Sequence, residues 1–289
     1  GREASFKLRV LSPWYFTWWA WVLWTVLGAG LLYGIVRFFT ARLRRQKARL
    51  EELVAERTRQ LREATLTDPL TGLRNRRFIS EVLGNDIAAF VGLKKHVLRG
   101  KDSRASNGDD VVFGLFMLDV DHFKRVNDEH GHEAGDRVLR QLAHVLRSSV
   151  RQDDVVLRFG GEEFLVVLKK TRPEYVPAYA QKVLDRVAAT SFDLGEGTVL
   201  HKTCSIGFVR FPFRSEEPDR LTFEQTLMIA DLALYAAKRQ GRNRGVCLEE
   251  GGRKLPDDEA LLNALASLEV ALDEGYLQLG PVTLGREPG

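Results

Sequence analysis

Cysteine is nearly absent: Cys204 and Cys247 are the only two in 289 residues. Two thiols cannot build a disulfide framework or, alone, a structural zinc site, so a reducing compartment is the simplest setting for them. Glycine-rich nucleotide loops are missing as well. Neither G-x-G-x-x-G nor G-x-x-x-x-G-K-[ST] occurs, which removes the dinucleotide and P-loop signatures. Apolar residues make up 44% and charged residues 28%, so the chain is neither a disordered tail nor collagen-like. The first residue is Gly1, and the sequence reads as a later part of something longer.

Charge is missing from one long stretch. Between Arg9 and Arg37 there is no Asp, Glu, Lys or Arg. The run from Trp14 to Val36, preceded by Pro13, is long enough to cross about 30 Å of hydrocarbon at about 1.5 Å per residue. All five tryptophans fall in Trp14–Trp24, as in an interfacial aromatic belt. A buried core helix rarely runs so far uncharged, and a signal peptide would be shorter with a small-residue cleavage site. Residues 37–62 then hold nine Lys or Arg against three Glu, whereas the whole chain carries only +4. The basic character therefore belongs to one segment beside the span and does not mark a nucleic-acid surface. The positive-inside rule puts the C-terminal side in the cytoplasm.

Residues 40–66 lack Gly and Pro and are rich in helix formers. Leu43, Lys47, Leu50, Val54, Arg57, Leu61 and Ala64 alternate at spacings of four and three. That is a heptad seam, weakened by Lys47 and Arg57. The expectation is a parallel two-stranded coil that pairs two copies; the plainer alternative is a lone solvated helix. Thr67 and Asp68–Pro69 end it.

Beyond Pro69, strand and helix patterns interleave. Val111–Asp119 reads as a buried strand. Gly135–Val150 reads as a helix with Val138, Leu139, Leu142, Val145 and Leu146 on one face. Val155–Phe159 and Phe164–Leu168 flank Gly160–Gly161 as a β-hairpin. Pro177–Thr190 is predicted helical, Val199–Phe211 a strand, Phe223–Arg239 a helix and Gly245–Leu248 a final short strand. Hairpins among alternating elements predict an α/β (α+β) sandwich with a mixed, largely antiparallel sheet flanked by helices. Lys94–Asp110 reads as an exposed loop. In residues 251–289, Leu261, Leu262, Leu265, Leu268 and Leu272 suggest a packed helix.

Polar residues that interrupt the apolar strands carry the chemistry. Asp119 closes one strand, and Glu162 and Glu163 sit at the hairpin tip. Such carboxylates can meet above a sheet edge and bind a hard cation whose remaining ligands are phosphate and water. Turn glycines permit close approach of a bulky ligand. Lys124, Lys238 and Arg242 are available to phosphate, and Asn127 and Asp136 to a base edge.

These segments resemble the diguanylate cyclase family of GGDEF domains, from about Thr67 to Leu248. The matching runs are TDPLTGLRNRR (67–77), LDVDHFKRVNDEHGHEAGD (118–136), RQDDVVLRFGGEEF (151–164) and AKRQGRN (237–243). The resemblance implies condensation of two GTP molecules into cyclic di-GMP with release of two pyrophosphates, by a homodimer with one half-site per subunit. It implies Mg²⁺ (or Mn²⁺) held by Asp119, Glu162 and the carbonyl of Val120. Glu162, with Glu163 beside it, is the implied catalytic carboxylate, the base for the attacking 3′-hydroxyl. Asn127 and Asp136 would read guanine, and His132 would touch substrate. Lys124, Lys238, Arg242 and the Phe123–Lys124 amides would hold the triphosphate. Arg151 and Asp154, an R-x-x-D ahead of Gly160, resemble a product-inhibition site for cyclic di-GMP.

The expected organisation is the end of an extracytoplasmic sensor domain (1–12), a transmembrane helix (13–36), a coiled-coil signalling linker (37–66), the cyclase domain (67–250) and a C-terminal extension (251–289). This would be a single-pass protein of a bacterial inner membrane, catalytic domain inside, binding no nucleic acid. The alternative is an inactive cyclic di-GMP receptor working through Arg151 and Asp154. Receptors of that kind normally lose the hairpin carboxylates, which are intact here.

Overall fold

The structure, a computed structural model, describes Tyr15, residues 18–99 and 111–256, Leu261 and residues 263–287. It divides into two compact units, Gly1–Glu63 and Ala64–Gly289. The expected sensor segment 1–12 lies outside the described residues, as do Pro13 and Trp14.

The first unit is built on helix α1 (Trp18–Thr65), 48 residues long. The span and linker expected as separate segments form one uninterrupted helix, since nothing from Arg37 to Thr65 can break it. Within it, Trp18–Phe38 is long and apolar enough to cross a membrane. Its side chains are almost all exposed, Trp18, Leu31, Leu32 and Phe38 each by more than 60%. A bare apolar surface of this extent needs a non-aqueous neighbour. Of the heptad positions only the side chain of Lys47 is described, and it is exposed.

In the second unit, the sheet runs β1 (Arg74–Asn75), β3 (Val155–Arg158), β4 (Glu163–Thr171), β2 (Val112–Val120), β7 (Cys204–Phe211), β8 (Arg244–Glu250) and β9 (Leu277–Leu284). The β1–β3 and β7–β8 pairs are parallel and the other four antiparallel, so the sheet is mixed and largely antiparallel. All nine residues of β2 are buried, which makes it the central strand covered on both faces. Phe113, Leu115 and Met117 point into one core cluster, and Phe116, Leu118 and Val120 into the other. The first cluster lies under α2 (Gly84–Arg99) and α5 (Phe223–Arg239), the second under α3 (Phe123–Arg147) and α4 (Tyr175–Ala188).

Helix α5 starts at a capping box in which Thr222 and Gln225 satisfy each other's backbone. It lies so close to β7 that a Cβ on Gly207 would fall 2.1 Å from the Ala230 carbonyl oxygen.

Five expectations need correction. Helix α3 begins at Phe123 rather than Gly135, and Gly131 (φ 80°, ψ 166°) breaks it into two segments. Val199–Phe211 is not one strand. Residues 198–201 form β6, which pairs only with β5 (Ser191–Gly195), and β7 starts after a break at Lys202–Thr203. Residues 94–99 continue α2 instead of joining a loop. β8 is not the last strand, because β9 pairs antiparallel along it. The leucines of the extension bury Leu261, Leu265 and Leu268, but not on one helix: the helical residues Leu261, Asn263 and Ala264 are separated by a turn at 265–267 from α6 (Leu268–Asp273).

Candidate active site

The site forms where β2 ends. Asp119 and Glu163 are direct partners in the β2–β4 register, so both project from one face, a few ångströms apart. That is the face α5 covers. Lys238, in the last turn of α5, places Nζ 2.7 Å from Asp119 Oδ2. Asp119 is only 5% exposed. Burial raises its pKa, with Lys238 opposing and Asp121 adding to the rise. Glu162 is pushed up by burial and then by the Asp119 charge. Glu163 is pushed up by burial, Asp231 and Asp119. Carboxylates that raise one another's pKa mark a site short of positive charge.

Among the described residues no group of three or more His, Cys, Asp or Glu is arranged for a metal. The donors present are the carboxylates of Asp119 and Glu162 and the carbonyl of Val120. Two carboxylates and one carbonyl, too few for a full oxygen shell, suit a Mg²⁺-like cation that takes its remaining ligands from water or phosphate, and the mutual repulsion of these carboxylates fits the need for one.

The β3–β4 turn carries Glu162. Phe159 N–H and Gly160 N–H both donate to the Glu163 carbonyl, at 2.8 and 3.3 Å. The Glu163 carboxylate folds over Gly160, where a Cβ would lie 2.6 Å from its Oε2. Arg158 braces the turn from outside: Nε and Nη2 donate to the Gly161 carbonyl at 3.1 and 2.7 Å. Its Nη1 donates to both oxygens of Asp68, each at 3.2 Å. Sequence reading assigned Asp68 only to the end of the linker helix and overlooked Arg158.

Asp121 was missed too. Only 2% exposed, it accepts from Thr203 Oγ1 and Ser205 Oγ at 2.6 Å and from Asn243 N–H at 3.0 Å. One carboxylate thus ties together the ends of β2, β7 and the loop of Arg242. The Asp-Val-Asp spacing was its only sequence signal.

Helix α3 starts beside this knot. His122 is left-handed (φ 56°) and its side chain caps nothing, so the Phe123 and Lys124 amides begin the helix at its positive end. Lys124 is exposed, and Arg242, half-buried at φ 62°, lies close enough to lower the Asp119 pKa. Across the Gly131 break, Asn127 lies over Gly135, where a Cβ would meet its Oδ1 at 2.0 Å. Asn127 thus lies against the residue before Asp136, and both are half-buried. His132 is exposed beside the break.

Arg151 and Asp154 are not part of this cluster. They precede β3 while Glu162 follows it, about 13 Å away for a four-residue strand. Both line a cavity of about 900 Å³, together with Arg74, Asp86, Arg147 and Lys169. Asp154 is buried, and its two oxygens accept from Arg151 N–H and Lys169 N–H at 2.9 Å each. It therefore anchors the turn that presents the exposed Arg151.

A glycine hairpin carrying carboxylates against a buried strand-end aspartate, with a lysine from the covering helix, defines the class. The chain belongs to the GGDEF domain family: residues 65–244 match the family described as diguanylate cyclase, GGDEF domain. It is 42% identical over 183 residues to the diguanylate cyclase DgcP of Pseudomonas aeruginosa, covering 63% of this chain and 24% of that protein. To the response regulator PleD of Caulobacter vibrioides it is 35% identical over 182 residues, covering 63% and 36%. It thus spans well under half of each of these relatives. Among solved structures it resembles the diguanylate cyclase SiaD of Pseudomonas aeruginosa in complex with its activator SiaC (32% identity, TM-score 0.51, 79% of each chain). It also resembles the coiled coil and GGDEF domain of DgcB from Caulobacter crescentus in complex with c-di-GMP (27% identity, TM-score 0.56, 72% of this chain and 98% of that one).

Proposed function

We propose that this chain is the catalytic part of a membrane-anchored diguanylate cyclase, which condenses two GTP molecules into cyclic di-GMP. The observation that carries this reading is the convergence of Asp119, Glu162 and Glu163 with the Lys238 ammonium where β2 ends. The 3′-oxygen of one GTP attacks the α-phosphorus of the other, loses its proton, and the bond to pyrophosphate breaks. The same exchange in the opposite direction closes the ring and releases the second pyrophosphate. Glu162, its pKa raised by burial and Asp119, takes the proton more readily than an ordinary carboxylate. Lys238, Arg242, Lys124 and the Phe123–Lys124 amides hold the triphosphate. Asn127 and Asp136 bind the guanine edge, which offers an acceptor at O6 and donors at N1 and N2, and His132 borders the base. Asp119, Glu162 and the carbonyl of Val120 would hold a divalent cation such as Mg²⁺ or Mn²⁺, which when bound would supply positive charge toward the phosphate oxygens.

One domain carries carboxylates for one GTP, so the working unit is a homodimer. The heptad positions of residues 37–66 pair two chains, and Trp18–Phe38 holds them in one bacterial inner membrane with the catalytic domains on the cytoplasmic side. A signal received outside reaches them through this helix. Arg151 clamps cyclic di-GMP at the far end of β3 and gives product inhibition. The test is incubation of the detergent-solubilised chain with GTP and Mg²⁺, with products resolved by chromatography. Cyclic di-GMP and pyrophosphate are expected from the wild type and neither from Glu162→Gln, whose volume is nearly unchanged. Wild-type turnover in Glu162→Gln, or a different cyclic product, would overturn the assignment.

A further inference from the structure

We propose that Lys202 is a further substrate-binding cation of the triphosphate site, delivered from the side opposite Lys238 by the break between β6 and β7. The proposal rests on the reading of that site as one for a nucleoside triphosphate.

Lys202 is held in place from both sides. The next residue is clamped to the end of β2: Asp121 N–H donates to the Thr203 carbonyl at 3.0 Å, and Thr203 Oγ1 donates to Asp121 Oδ2 at 2.6 Å. The preceding hairpin, β5–β6, is fixed to α3 by a pair of bonds, Gln141 Nε2 to the Asp193 carbonyl at 2.8 Å and Asp193 N–H to Gln141 Oε1 at 2.9 Å. Lys202 therefore keeps its position relative to the helix whose first amides face the phosphates.

Its Nζ reaches the carbonyl of His122, the residue before those amides, at 3.4 Å. This long contact to a neutral acceptor is its one hydrogen bond, and no carboxylate lies within ion-pair distance of it among the described residues. Lys238, by contrast, is already paired with Asp119. Asp121, Glu129 and Glu162 act on Lys202 only at longer range, while Arg125 opposes them. Half-burying an ammonium with so little compensation is costly. An anion arriving at the start of α3 would repay that cost. A phosphate chain is an anion of that kind, and a lysine on a flexible stem binds it as a point charge that a guanidinium can replace.

The experiment compares wild type, Lys202→Met and Lys202→Arg in the full chain with Mg²⁺. It measures KM and kcat for GTP, inhibition by inorganic pyrophosphate, inhibition by guanosine, and thermal stability. Loss of one charge-assisted hydrogen bond is expected to raise the KM for GTP and the inhibition constant of pyrophosphate about tenfold. Guanosine inhibition and melting should stay as in the wild type, and Lys202→Arg should recover most of the phosphate affinity. Unchanged pyrophosphate inhibition in Lys202→Met would overturn the proposal, as would equal weakening of pyrophosphate and guanosine. A wild type that neither turns over GTP nor binds pyrophosphate would instead remove the triphosphate reading, and this proposal with it.

Discussion

Replacing Arg158 by Met tests whether the glycine turn that carries Glu162 stands alone or is braced. Arg158 donates four hydrogen bonds, two to the Asp68 carboxylate and two to the Gly161 carbonyl, and both charged side chains are less than a fifth exposed. Hydrogen bonds to charged groups contribute about 1.5–3 kcal/mol and neutral ones about 1 kcal/mol. Asp68 keeps its bonds from Thr71 N–H and Oγ1 (2.9 and 2.6 Å), which offsets part of the loss. A net destabilisation of about 2–3 kcal/mol follows, measured as a lower urea midpoint. The turn's own bonds to the Glu163 carbonyl remain, so the hairpin persists but Glu162 loses its fixed position. A misplacement of about 1 Å costs up to about a hundredfold in rate, so kcat should fall at least tenfold more than the stability loss explains at a temperature where the variant is folded. A variant that is destabilised as expected, yet turns over GTP at the wild-type kcat, would refute the bracing argument.

Four shorter predictions follow. Burial pushes the Asp68 pKa up, but the bonds from Thr71 and Arg158 prevail and hold it below 3.8. Its contribution is therefore present above the unfolded carboxylate value and lost as pH falls through the lowered folded one; acid titration of Asp68→Asn should lack this component. Gly207→Ala drives a Cβ into the α5 backbone at 2.1 Å and should cost about 3 kcal/mol or more in a urea melt, since backbone cannot step aside. Gly135→Ala drives a Cβ onto the Asn127 amide at 2.0 Å and against the buried Phe123 ring at 3.1 Å, so it should raise the KM for GTP several-fold and lower the melting temperature less than Gly207→Ala does, since side chains can shift where backbone cannot. Arg151→Ala should raise the inhibition constant of added cyclic di-GMP at least tenfold, seen as progress curves that no longer flatten.

Elements with a strong period were legible from sequence. β2 is apolar from Val112 to Leu118, the β3–β4 hairpin is marked by a glycine pair, and α5 repeats Leu227, Ala230, Leu234 and Ala237 inward. These local patterns also led to the carboxylate cluster. The misses have tertiary causes. The break at Lys202–Thr203 contains neither Gly nor Pro, so β6 and β7 looked continuous. β9 contains Gly280 and Pro281, which read as breakers, but at a sheet edge a missing N–H is tolerated. The first segment of α3, from Phe123 to His130, is too polar to show an apolar period beyond Phe123 and Val126. Arg158, Asp121 and Lys202 owe their roles to partners 80 or more residues away, a relation no spacing rule detects.

The terminal strand also acts as a guard. The family match stops at residue 244, where β8 begins, yet β8 is paired along its outer side by β9, whose Gly280 sits against Cys247. The following residues grip the loop of Arg242, with Gly285 N–H donating to the Asn243 carbonyl at 2.9 Å and Asn243 Nδ2 to the Arg286 carbonyl at 3.0 Å. A chain trimmed to the end of β8 would present a row of unpaired amides beside Val246 and Leu248, an edge that recruits other strands. It would also uncover one side of a thiol that burial now pushes up to about 12, opening a route to oxidation and cross-linking. Solubility and redox durability are therefore vested in a segment that contributes no residue to the chemistry.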